Sequence, residues 1–493
     1  MSLRCSVLAL AVLWVGCAGP QVRRDSLEGW SEAETRGVRL IADARGEELD
    51  AIASDLSSLH ATFTYLLGRD ITSSVPTTIV LIRDPERAKR FGLRGRLGFA
   101  WSTLEGSFAV VSLDRRAVQT RITLFHEYTH LLLWRHRNAL IARWYTEGLA
   151  DYFSTVAFRD GALVVGALPA DRLAWLIQRG HPMPLDQLFG GDRDATLRGR
   201  AIYDFYSTAW ALTHYLLATP KGRAELSRFE KELAKGTALD AAREAAFGRS
   251  FERLTQELTT HLGYLARGAA AESILDPRQV RLTQPVPAAP MHPDAVADAL
   301  GSVALSLASE DEGESEYAPI ARAYLEAAVA EGAAANAPAR AALAHVRALE
   351  GDADGAEATL AEALRDAPGD FSVQLAAGHV ALARGAADEA EAHFRRALAL
   401  DERSAPAWFG LGRALARAGQ ADHARNALER ARSLGWSAGL DLELGRLHVE
   451  AHRVSEARAL LQPLAGDPHG GKIAEQAAEL LKQLDATDAA DPS

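Results

Sequence analysis

The segment His126-Glu127-Tyr128-Thr129-His130 carries the residue types and spacing best suited to chemistry in this 493-residue chain. Two histidines four residues apart on a helix stand about 40° apart around its axis, so both imidazoles can reach one metal ion from the same face. Glu127 lies one position round from His126, where a carboxylate can touch a metal-bound water without ligating the ion. A third ligand is needed. Seventeen residues after His130 stands Glu147, within Trp144-Tyr145-Thr146-Glu147-Gly148-Leu149-Ala150-Asp151-Tyr152. A second helix returning beside the first would set Glu147 against the histidines and leave the fourth tetrahedral position for water, as in a catalytic zinc site. The two cysteines, Cys5 and Cys17, both precede the folded part, so no thiolate site or disulfide framework is available.

H-E-x-x-H followed by W-x-x-E-G-x-A-x-Y resembles the gluzincin metallopeptidases, the thermolysin and aminopeptidase branch, and in particular the peptidase MA-like group of bacterial proteins. The likeness runs over about residues 37–267, including Tyr206 to Leu216 and Ala246-Phe247-Gly248. The resemblance implies an α+β zincin-like domain, a small mixed sheet followed by helices. It also implies one zinc ion held by His126, His130 and Glu147, with Glu127 as the base. Asp151 matches the position that hydrogen-bonds a ligand imidazole, an exposed helical carboxylate being its other reading. Tyr206 is the implied donor to the tetrahedral oxyanion, with Tyr203 one turn earlier on the same face; core packing is the other reading of both. The spacer between His130 and Glu147 is 16 residues, slightly shorter than in the better-known gluzincins. The strand Phe108 to Leu113 corresponds to the edge strand that pairs with an extended peptide. His136, His181 and His214 have no partner at ligand spacing and read as structural or surface residues.

The elements that must position these side chains are legible from periodicity. Residues 38–42 form a short strand, and Leu49, Ile52, Leu56, Leu59 and Phe63 mark a helix over 47–67. Thr77 to Ile82 is a β-branched strand, and 98–101 and 108–113 are two more across a Glu105-Gly106 turn. Helical patterns then cover 120–135, 145–157, 170–179, 199–218, 222–234 and 250–266. Asp276-Pro277 and Pro285, Pro287, Pro290 and Pro293 mark a linker over 276–293.

Beyond it the sequence repeats every 34 residues: Ala356, Ala390, Ala424; Leu360, Phe394, Leu428; Gly351, Gly385, Gly419. This period, with Trp408, Leu411, Gly412, Leu415, Ala424, Leu428 and Ala431 at the matching spacing, resembles the tetratricopeptide repeat, an all-α solenoid of paired helices. Regular units start near 337, 371 and 405, a shortened one near 438, and a degenerate leading unit covers 294–331, interrupted by an acidic loop at 310–314. The repeat domain is expected over 294–484, with a flexible tail at 485–493. Such repeats imply a protein partner.

The first residues read as a targeting segment. Arg4 precedes an apolar run Val7 to Val15, too short to span a bilayer, and Gly16-Cys17 resembles a bacterial lipobox. Residues 1–16 are therefore expected to be a lipoprotein signal peptide and Cys17 the lipidated residue that joins the chain to a membrane. A linker follows over 17–36, before a catalytic domain at 37–275. That places the protein in the bacterial cell envelope, facing the periplasm or exterior, or makes it secreted if the lipobox reading fails. The net charge of -11 divides into -15 over 291–493 and +4 over 1–290, and no basic stripe occurs, which excludes nucleic acid as a partner. The expected function is a zinc-dependent peptidase acting on peptide or protein substrates, tethered to a protein-interaction domain. The alternatives are a non-catalytic envelope scaffold and a metal-dependent hydrolase of another bond.

Overall fold

The computed structural model describes residues 22–68, 76–113, 117–134, 142–159, 162–190, 199–235, 237, 239–268, 272–276, 280, 282–310, 315–330, 336–465 and 471–490. The targeting segment with Cys17, His136, Pro277 and the loop 311–314 lie outside the described residues.

A 3-10 turn at Arg24–Leu27 leads into the hairpin β1 (Ser31–Thr35) and β2 (Val38–Ala42). Then come α1 (Gly46–Leu67), β3 (Thr77–Ile82), α2 (Pro85–Arg90) and the hairpin β4 (Gly98–Ser102) and β5 (Ser107–Ser112). After α3 (Ala117–Trp134) and α4 (Arg143–Phe153), β6 (Ala157–Arg159) and β7 (Ala162–Val165) form a small hairpin. The domain continues with α5 (Ala170–Arg179), α6 (Leu185–Gly190), α7 (Arg200–Leu217), α8 (Pro220–Ala234), α9 (Leu239–Phe247) and α10 (Phe251–Ala266). It ends with β8 (Ser273–Leu275), which pairs with β7, and β9 (Val286–Pro290).

The main sheet has the order β4-β5-β3-β2-β1-β9, with β2-β3 and β3-β5 parallel and the other pairs antiparallel. Its central strands read as unbroken apolar runs because both faces are covered. On one face Leu40, Ile79, Leu81 and Val111 pack with α1, α3, α4 and α7 in the larger core. On the other, Ile41, Val80, Ile82 and Val110 meet Val296, Leu300, Val303 and Leu325 from the first helices of the repeat region.

Three expectations are corrected. The proline-rich stretch 276–293 is not a free linker, since β9 lies inside it and pairs with β1, Ser31 opposite Pro290 and Glu32 opposite Ala289. Proline lacks an N–H and is tolerated on an edge strand, which is where β9 sits. The linker over 17–36 likewise contains β1, whose inward residues Ser31, Ala33 and Thr35 are too small to register as an apolar pattern. Finally, β5 is not an edge: β4 lies outside it and forms that border of the sheet.

The repeats are helix pairs: α11 (Pro293–Glu310) with α12 (Ala318–Val329), α13 (Ala337–Leu349) with α14 (Ala353–Asp366), α15 (Phe371–Ala383) with α16 (Ala387–Leu400), and α17 (Ala405–Arg417) with α18 (Ala421–Leu434). The shortened unit is α19 (Ala438–Glu450) with α20 (Val454–Ala465), and α21 (Gly471–Ala490) closes the stack, continuing as helix into the stretch from 485 expected to be a flexible tail. Asn336, Asp370, Ser404 and Ser437 cap the first helix of four units, each side chain accepting from the backbone N–H three residues on. Between paired helices the chain turns through left-handed backbone at Gly351, Gly385 and Gly419, and in the shortened unit His452 takes that conformation instead. The pair α11 and α12 covers the sheet, so the solenoid grows directly from the first domain. No helix among the described residues is long and apolar enough to cross a membrane.

Candidate metal centre

The centre is built by packing α4 between α3 and α7. Every residue from Trp144 to Phe153 is buried. Trp144 packs against Phe189 and Phe229 at ring-centroid separations of 4.8 and 5.7 Å, and the Tyr145 hydroxyl donates to Glu230. Gly148 lets α4 close on α7: a Cβ there would stand 2.2 Å from Thr213 Oγ1 and 2.6 Å from the Ala209 carbonyl oxygen. On α3, the Tyr128 hydroxyl meets His60 Nδ1 of α1 at 2.7 Å, which fixes the helix against the core while His126 and His130 face α4.

His126, His130 and Glu147 converge, and their ligand atoms lie within 4.8 Å of one another. Nε2 of His126 and Nε2 of His130 are 3.3 Å apart, and Glu147 Oε2 is 3.5 and 3.6 Å from them. Zinc bonds of about 2.0–2.1 Å in a tetrahedron put ligand atoms about 3.3 Å apart, so this triangle and its two-nitrogen, one-carboxylate donor set fit zinc. Glu147 is 2% exposed, whereas His126 is 21% exposed along its side chain.

Asp151 is not an exposed carboxylate. It is buried, its Oδ1 lies 3.1 Å from His126 Nδ1, and its Oδ2 accepts from Arg172 Nε at 2.7 Å. The contact at Nδ1 leaves Nε2 of His126 turned toward Glu147. Burial opposes charge on this pair, but the hydrogen bonds to Asp151 and Glu147 hold the His126 pKa well above its ordinary value. The bonds from His126 and Arg172 likewise pull Asp151 down against its own burial. Arg172, on α5, was not singled out by the sequence: an arginine on a short amphipathic helix has no spacing that distinguishes it from a solvated one.

Of the two tyrosines, the structure turns Tyr206 toward the centre. Its ring lies 5.3 Å below the Arg172 guanidinium, and burial and the nearby Glu147 charge raise its pKa, so the phenol keeps its proton. Arg143, another residue absent from the motif reading, hydrogen-bonds Tyr206 and lies over the Phe205 ring. Tyr203 is 54% exposed and packs at a tilt against Trp175 instead. Glu127 is half-buried on the β4 side of α3, where a Cβ at Gly98 would come within 3.1 Å of its Cγ. His214 uses both ring nitrogens structurally, on His261 and the Gly166 carbonyl, and His181 Nδ1 meets the Pro182 carbonyl.

Two families match parts of the chain. Residues 121–240, from α3 into α9, match a family described as a protein of unknown function (DUF1570), and residues 381–435 match the tetratricopeptide repeat. The C-terminal region is thus a tetratricopeptide-type solenoid, of the kind that binds proteins. No curated protein matches the chain. Solved structures similar to it include a thermophilic repeat protein, TTC0263 of Thermus thermophilus, at 19% identity over 38% of this chain and 98% of its own, TM-score 0.34. PilF of Pseudomonas aeruginosa gives 19% identity over 40% and 94%, TM-score 0.29. YrrB, titled a repeat protein with an unusual peptide-binding site, gives 20% over 38% and 91%, TM-score 0.27.

Proposed function

We propose that the first domain is a zinc-dependent peptidase, carried to the bacterial envelope and tethered there through lipid on Cys17, with the repeats engaging a protein partner. The observation that carries the reading is the triangle of His126 Nε2, His130 Nε2 and Glu147 Oε2, with Asp151 on the far nitrogen of His126. His126, His130 and Glu147 would hold the ion. Zinc bound there would supply a water of pKa about 7 and polarise the scissile carbonyl. Glu127 takes a proton on its carboxylate and returns it to the leaving amine. Asp151 and Arg172 keep the His126 ring in one orientation, and the neutral Tyr206 hydroxyl donates to the oxygen on which charge develops. The open edge of β4, beside Glu127, offers backbone partners to an extended peptide with little sequence preference.

The test is metal analysis of the purified protein together with digestion of casein or a peptide library, with chelator and after zinc is restored. Zinc-dependent cleavage is expected. The match of 381–435 to the tetratricopeptide repeat supports protein binding and is equally compatible with a second reading, a non-catalytic envelope scaffold. Zinc-loaded protein that cleaves nothing in a broad library would move that reading ahead.

A further inference from the structure

The first helices of successive repeats, α11, α13, α15 and α17, together with the N-cap of α19, line one continuous inner surface, and a cavity of about 110 Å³ lies in it. That surface is not vacant. The turn between β4 and β5 enters it, closed on itself by Thr103 N–H donating to the Gly106 carbonyl and by Thr103 Oγ1 accepting from the Glu105 and Gly106 amides. Leu104 at its tip is 7% exposed and belongs to the apolar cluster of the later repeats, with Ala405 and Leu411. A Cβ built on Gly435 would touch it at 3.4 Å. The next residue, Glu105, puts its carboxylate 3.7 Å from His379 Nε2, and His379 stacks on the buried His345 at 4.7 Å and 8°. Apolar walls thus receive the leucine, while the glutamate, half exposed, stands beside His379 without a hydrogen bond to it.

The same hairpin reaches the metal centre. Trp101 of β4 donates to Ser306 of α11 at 3.2 Å and stacks between Phe99 and Phe108. At the other end of β4, Gly98 lies against Thr123 and Glu127, so close that a Cβ would be 2.7 Å from Thr123 Cγ2. Five residues of strand, about 17 Å, separate the turn in the groove from the side chain beside the ligands. As the border strand, β4 is paired on one side alone, by β5, so its other restraints are α3, the α11–α12 cluster against which Phe99 and Trp101 pack, and the groove that holds its turn.

We propose that the inner groove of the repeats is a binding site for a tight turn bearing a buried leucine followed by a glutamate, that Leu104-Glu105 is its resident ligand, and that this hold fixes β4 beside Glu127. A protein partner presenting a leucine-glutamate turn competes for the same groove, so partner capture and release of β4 are one event. The inference does not depend on peptidase activity.

Two substitutions in the full chain test it. Leu104→Ser removes the apolar anchor from the turn. Gly435→Leu fills the anchor's place from the groove side with extended backbone that accepts any residue. Hydrogen exchange at the amides of Gly98–Ser102 should quicken at least tenfold in both, while the amides of α15 to α18 keep the parent's rates. A cyclic hexapeptide Ser-Thr-Leu-Glu-Gly-Ser should bind the Leu104→Ser chain in calorimetry and fail to bind the parent, and replacing its leucine by serine should abolish that binding. Unchanged β4 exchange in both variants would overturn the coupling. A peptide that binds neither chain, or both equally, would overturn the groove as its receptor. Neither readout uses metal or turnover, so a failure of the peptidase reading leaves these outcomes intact.

Discussion

Gly148→Ala tests how the third ligand is placed. The new methyl would lie 2.2 Å from Thr213 Oγ1, 2.6 Å from the Ala209 carbonyl oxygen and 3.0 Å from its carbon. Side-chain rotation can relieve the first contact, but the other two are backbone of α7, so α4 must back away by roughly 1 Å to restore ordinary carbon–oxygen separation. Overpacking of this kind costs about 1–3 kcal/mol. Glu147 precedes the glycine on the same helix and moves with it. Because metal–ligand distances tolerate only about ±0.2 Å, a shift of that size separates Glu147 from the two histidines. We therefore expect the metal-free variant to unfold at lower denaturant concentration, by the equivalent of about 1–3 kcal/mol, and to lose most of its zinc affinity in competition with a chromophoric chelator. Adding Thr213→Ala should recover only part of the stability, because Ala209 remains. A Gly148→Ala protein with parental stability and parental zinc affinity would refute the close-approach reasoning. Destabilisation with unchanged zinc affinity would instead refute Glu147 as a ligand.

Glu127→Gln should keep the metal content of the parent while hydrolysis falls by about 100- to 10,000-fold, and His126→Ala, His130→Ala and Glu147→Ala should lose both; proteolysis undiminished in Glu127→Gln would sink the base assignment. Asp151→Asn should weaken zinc binding by about 10- to 100-fold, read by the same chelator competition, since the carboxylate that orients His126 loses its charge. Burial and the Arg413 charge push His345 down to about 4 from an ordinary 6.5, and burial, His345 and Arg413 push His379 well below the same value, with Glu105 the acid facing the pair. The unfolded chain therefore takes up protons that the folded repeats refuse. Stability is complete above about pH 6.5 and is lost as pH falls toward 4, by up to about 1.4 kcal/mol per pH unit for each histidine; denaturation of His345→Gln across that range should show a shallower slope. Mass spectrometry of the mature N-terminus should find lipid on Cys17, and cleavage at another bond would remove the anchor.

The sequence by itself determined whatever depends on neighbours along the chain. A spacing of four on one helix places His126 and His130 together in any fold that keeps α3, and a 34-residue recurrence of alanine, glycine and large apolar residues implies stacked helix pairs. The strands at 38–42 and 77–82 declared themselves through apolar content. Tertiary structure decided what depends on residues far apart. The pairing of β9 with β1 joins segments some 250 residues apart and is written in small and proline-bearing stretches with no periodic signal. The link from Asp151 to Arg172 and the burial of Tyr206 while Tyr203 stays exposed follow from how α4, α5 and α7 cross, since a lone charged or aromatic residue looks the same in sequence whether it is buried or faces water. Leu104 makes the point most simply: one leucine in a short turn reads as surface, and only the repeats folding back over the sheet bury it among side chains some 300 positions away.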